Sequence, residues 1–246
     1  MTELPAIRYS TGSRPIGNAK NFSWEYPIPR CPFWDDLEFA TGRNFPSVYS
    51  REDIGKLPID PDSTDDRQTK LNLLLKLLRE RSAEKEAGAA PETYLEVDSK
   101  GWSTLHLGIY TVQYALGLRG EAEQTVRVMV DKTEGNTKLS HSHTLAAVLL
   151  AKGDCVEAEK LEKPVRAWLV GLLGQDSPQA LGAMRTIVRA VWRQGPGRRA
   201  EAKGLIAEWK ETVDGMGGGQ YGAYQDEERE MMDKIVSELD EEEHKD

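Results

Sequence analysis

Arg185, Arg189 and Arg193 recur at every fourth position. On a helix that spacing lines three guanidiniums along one face. Their own segment supplies no acidic partner, and a planar guanidinium suits a carboxylate, which it can bind through two parallel hydrogen bonds. Three fates are open to such a stripe. It can be an ordinary solvated face, paired with glutamates of neighbouring helices. It can be a groove for an acidic or C-terminal peptide. It can also be the seat of the chain's own acidic tail, "SELDEEEHKD".

Other reactive residue types are present, but their spacing argues against chemistry. His141 and His143 stand in "SHSH". On a helix, residues two apart point about 200° apart, so one metal ion is hard to share. Cys155 follows Gly153-Asp154 at a predicted helix start, which can lower a thiol's pKa. No spaced His or Asp accompanies it as a base. "DGMGGGQYGAY" is glycine-rich but lacks the preceding strand and the Lys-Ser/Thr of a phosphate cradle. It reads as a flexible linker. Asp35, Asp36 and Glu38 flank Trp34, and their sharing a pocket is not readable from spacing. The expectation is no catalytic residue, no metal and no cofactor.

Composition narrows the class further. The chain has 246 residues, 39% hydrophobic and 30% charged, enough for one or two globular domains. Two cysteines make neither a disulfide framework nor a zinc site. The start lacks the apolar run of a signal peptide, and no stretch reaches the roughly 18 apolar residues of a membrane span. A reducing, cytoplasmic setting is expected. The formal net charge is −9. Residues 226–246 carry eleven Asp and Glu against three Lys and Arg, a net of −8, so the other residues carry about −1. A nearly neutral body with an acidic appendage disfavours nucleic acid as a partner.

Residues 1–62 are rich in proline and aromatics, with Trp24, Tyr26, Phe33, Trp34 and Phe39 close together. The prolines predict extended chain without a long helix, and the aromatics predict that it packs onto the body. From Asp65 onward Leu71, Leu74, Leu75 and Leu78 fall at helical spacing, and Gly88 ends the run. Further helices are predicted near 100–117, 120–133, 138–152, 155–172, 178–194, 199–213 and 226–240. Strand alternation is nearly absent, which predicts an all-α body.

A near-repeat organises these helices. Glu121-Ala122-Glu123, Glu157-Ala158-Glu159 and Glu201-Ala202-Lys203 align, with alanines 36 and 44 residues apart. Such periods indicate stacked helix pairs. In each pair a glycine reverses the chain, and a small alanine lets the second helix approach the first. The flanking glutamates are expected to favour the helix start and face water. The segment also carries Leu161, Leu173-Gly174, Ser177-Pro178, Leu181 and Gln194-Gly195. Over about 155–210 it resembles tetratricopeptide (TPR) repeats of the kinesin-light-chain type, as found in fungal proteins. The likeness weakens over 100–154 and is absent before 65. Ser177 stands where those repeats usually have His, and Pro196-Gly197 lengthens one turn.

The resemblance implies a short TPR-like α-solenoid of antiparallel helix pairs with an extended, aromatic and proline-rich N-terminal segment. The expected divisions are 1–62 (N-terminal segment), 63–214 (repeats), 215–225 (Gly-rich linker) and 226–246 (acidic helix and tail). The resemblance also places Arg185, Arg189 and Arg193 where such repeats face their groove, with His143 at the comparable position of the preceding pair. The expected function is a non-enzymatic scaffold binding a protein or acidic peptide. The rival is a small-molecule or enzyme site in which the N-terminal segment closes a pocket lined by Trp24, Tyr26 and Trp34.

Overall fold

The computed structural model describes Ile7–Arg8, Ile28–Pro29 and residues 31–243. Two short strands, β1 (Ile7–Arg8) and β2 (Ile28–Pro29), pair antiparallel, with Ile7 opposite Pro29. The other regular elements among the described residues are helices. The chain divides into two compact units, one up to Met129 and one from Val130.

The first unit opens with α1 (Pro32–Asp35), α2 (Phe39–Asn44) and α3 (Arg51–Ile54). This region was expected to be extended. The prolines act differently: Pro32 lies in the first turn of α1, where its fixed φ fits a helix and its missing N–H costs nothing. The long helix α4 (Arg67–Ala89) starts at Asp66, whose side chain accepts from the Thr69 amide at 3.0 Å. A short α5 (Tyr94–Val97) precedes α6 (Ser99–Ala115), and α7 (Arg119–Lys132) follows. Both α4 and α2 pack on α6. The core joins Phe33, Trp34 and Phe45 from the N-terminal segment to Leu74, Leu78 and Leu105 from α4 and α6. At Gly108 on α6, an added Cβ would lie 3.2 Å from Val48 and 3.7 Å from the Asn44 carbonyl. That glycine lets the segment lie close against α6.

The second unit stacks α8 (Gly135–Lys152), α9 (Cys155–Leu173), α10 (Pro178–Trp192), α11 (Arg199–Asp214) and α12 (Gln225–Glu243). The bounds follow the sequence reading within three residues, the largest difference being the start of α8 at 135 rather than 138 and the end of α12 at 243 rather than 240. α9 packs against both α8 and α10, while α10 also meets α11 and α12.

The repeat is visible as physical joints. Ala122, Ala158 and Ala202 are all 0% exposed, so each is fully enclosed at its joint. Gly117, Gly153 and Gly195, which precede them, have φ of 77°, 89° and 105°. Only glycine adopts that region without a steric cost. At Gly153 the following amide, that of Asp154, reaches back to the Leu149 carbonyl at 2.9 Å and closes α8. Ser177 caps α10 by accepting from the Ala180 amide at 3.2 Å, and Pro178 occupies the first turn.

The glycine-rich stretch after α11 is compact in the structure, unlike a flexible linker. Met216, Tyr221 and Tyr224 are buried. The Tyr221 hydroxyl donates to the Leu173 carbonyl at 3.1 Å, and Gln225 donates to the Val213 carbonyl at 2.8 Å. A Cβ at Gly222 would come within 3.0 Å of two carbonyl oxygens, so glycine here permits tight packing.

Candidate functional site

The three arginines do share one face of α10. The other positions of this helix are largely buried, leaving a narrow strip around Gln179, Gly182, Arg185, Arg189 and Arg193. Along that strip lies α12. Arg185 pairs with Glu228, Arg189 with Glu238 at 2.9 Å, and Arg193 with Glu242 at 2.6 and 3.1 Å. The partners appear in the same order on both helices, so α10 and α12 run in the same sense. Beyond them, Glu243 lies 3.5 Å from both Arg199 and Lys203. Of the three fates open to the stripe in sequence, its carboxylate contacts come from the acidic C-terminal helix.

The strip changes character along its length. Arg185 and Glu228 are nearly withdrawn from water, with side chains 18% and 5% exposed. Burial lowers the Arg185 pKa and raises that of Glu228, each against the opposing pull of its partner. At the other end Arg193 and Glu242 are bonded through two nitrogens. Their hydrogen bond outweighs burial, raising the Arg193 pKa and lowering the Glu242 carboxyl below the ordinary range. One end is a desolvated pair and the other a half-open fork.

His143 is not part of this set. It lies on α8, and its Nδ1 is 2.5 Å from Oε1 of Glu162 on α9. Glu162 is fully buried and its Oε2 has no hydrogen-bond partner. Burial therefore pushes its pKa up, offset in part by His143. The neighbouring His141 turns to Thr133 instead, 3.1 Å away. The two rings thus have separate surroundings, and among the described residues no group of three or more His, Cys, Asp or Glu could hold a metal ion. Cys155 is buried, which raises its pKa, although its place at a helix start suggested the reverse.

Trp34 lies in the core of the first unit. It meets Phe33 edge-to-face at 4.9 Å and Phe45 at 5.7 Å, and it is 6% exposed. Trp24 and Tyr26 lie outside the described residues. The carboxylates beside Trp34 serve as clamps: Asp36 meets the buried Lys70 at 3.2 Å, and Glu38 pairs with Arg67. Lys70 also donates to the Pro32 carbonyl at 2.8 Å.

One polar cluster escaped the sequence reading. The glutamates around the repeat alanines were expected to face water, yet Glu159 is 7% exposed. It accepts from Arg198 at 3.0 Å, from Gln194 at 2.6 Å and from Lys163 at 2.5 Å. Burial raises its pKa, but these donors outweigh it and hold the carboxyl at about 2. The signal was there in part: Gln194 and Arg198 recur 35 and 39 residues after Glu159, about one repeat period.

No family model matches the chain, and no curated protein matches it. Among solved structures, it is similar to a crystal structure of a Podosopora anserina protein described as a kinesin light chain with nearly identical TPR-like repeats. The TM-score is 0.53 at 17% identity, over 70% of this chain and 86% of that one. The fold is that of TPR-like helical repeats. Among the described residues no helix is long and apolar enough to cross a membrane.

Proposed function

We propose that the protein is a non-enzymatic interaction scaffold. It takes an acidic peptide, or an acidic segment of a partner protein, on Arg185, Arg189 and Arg193. His143 lies apart from this strip, paired with Glu162 on α9, and with its side chain 41% exposed it serves as a separate, further contact. The observation that carries this reading is the docking of α12. A helix bearing glutamates already lies on the stripe, so the spacing of the guanidiniums is one that carboxylates can match. Arg189 and Arg193 stay 31% and 33% exposed beneath it. A guanidinium has five donors, so each retains capacity for a second acceptor. Stacked helix pairs present extended surfaces of this kind to partner chains.

A fluorescence titration tests the reading. A labelled glutamate-rich peptide is added to wild type, to Glu238→Ala/Glu242→Ala and to Arg189→Glu/Arg193→Glu. Freeing the two arginines should tighten binding, and reversing their charge should abolish it. Equal affinities for all three would remove the stripe from consideration.

A further inference from the structure

The acids of α12 fall into two sets. Glu228, Glu238, Glu242 and Glu243 each meet an arginine or lysine of the second unit. Asp233, Asp240 and Glu241 form no hydrogen bond or ion pair with any described residue. These three rim a groove of about 540 Å³ between α11 and α12. Its lining includes three apolar side chains, Ile206 from α11 with Met232 and Val236 from α12. Lys210 is the cation of the lining. An apolar strip whose three carboxylates form no ion pair and outnumber the one lining cation is unlike the α10 face, where every named acid has its counterion.

We infer that this groove docks a cationic amphipathic helix of a partner protein. The α12 wall runs from Met232 to Glu241, roughly 13 Å of helix, so about two and a half turns of a second helix span it. Apolar residues spaced three and four apart on that helix cover the half-buried Ile206 and Val236, with the buried Met232 forming the floor between them. Lysines or arginines on its flank meet Asp233, Asp240 and Glu241, which supplies both the attraction and the choice of partner. This surface is distinct from the arginine stripe and has the opposite charge preference, so either can fail without the other.

The test uses the full chain and two labelled helical peptides of one amphipathic pattern, one of Leu and Lys, the other of Leu and Glu. The Leu/Lys peptide should bind wild type and lose at least tenfold in affinity to Asp233→Lys/Asp240→Lys/Glu241→Lys. The Leu/Glu peptide should gain on the same variant. A control, Asp226→Lys/Glu227→Lys/Glu230→Lys, makes an equal charge change on α12 outside the groove and should cost less than about threefold. An equal loss in the control would reduce the binding to general attraction and overturn the proposal. So would unchanged affinity in the groove variant, or no binding to wild type. Sedimentation closes the remaining route: a dimer that Val236→Lys dissociates would make the groove a self-interface and overturn the proposal. Thermal melts confirm that each variant is folded.

Discussion

The two units each cover one of their helices with another piece of the chain, by different physics. In the first, Phe33, Trp34 and Phe45 bury apolar and aromatic surface with α4 and α6, and the polar contacts (the buried Lys70 with Asp36 and the Pro32 carbonyl, Arg67 with Glu38, Arg81 with Asp53) are scattered around that core rather than aligned in a row. In the second, α12 covers α10 with a row of ion pairs, while Met232, Ile235 and Leu239 supply the apolar contact. Apolar burial carries no charge to be screened or titrated, so added salt does not weaken it and modest changes of pH leave it in place. An ion-paired row is not, and its exposed end responds before its buried end. The second cover can therefore be tuned by a charged partner, and the first cannot.

The sharpest way to break this contrast is at the aromatic cover. Trp34→Ala should cost about 3–5 kcal/mol in urea denaturation, a loss that high salt does not reduce. A small loss would mean the segment is not core. Next comes the buried end of the ionic row. Arg185→Met should cost about 2–3 kcal/mol, because Glu228 is left buried without its partner. Arg185→Met/Glu228→Met should recover to within about 1 kcal/mol of wild type, and failure to recover would show that the pair itself, not the stranded charge, sets the stability.

A third test uses pH. The folded-state carboxyl of Glu159 titrates at about 2 against an ordinary 4.5. A depressed carboxylate stabilises fully above its unfolded pKa, and that contribution is lost as pH falls from about 4.5 through about 2. Melting curves of wild type and Glu159→Gln should therefore differ at neutral pH and converge below pH about 2. A constant gap would assign the effect to packing. The smallest effect is at the open end of the row. Arg193→Ala should cost about 0.2–1 kcal/mol at low ionic strength and almost nothing in 1 M salt. A loss that survives high salt would show that the fork is less open than its exposure indicates.

Much of the fold was legible because its causes are local. Leucine spacing, the turn glycines 117, 153 and 195, and the alanines 122, 158 and 202 each act within a few residues. They marked the helices and their joints closely. The short helices at 32–54 were not legible, because proline breaks a helix in its interior yet starts one at a first turn, and composition alone does not distinguish the two. Glu159 was misplaced because its donors lie a full repeat away.

The sequence by itself determined the helices, the reversals, the repeat and the three arginines on one face. All follow from the 3.6-residue period and from glycine's access to positive φ. Only the tertiary structure decided what those arginines touch. Their partners Glu228, Glu238 and Glu242 lie 43 to 49 residues away, and the choice among eleven C-terminal acids depends on where α12 packs. One hint was available: Glu228 shares the apolar stripe of Met232, Ile235 and Leu239, and a carboxylate on a buried stripe needs a cation to receive it. Which cation receives it is set by the packing of the whole unit.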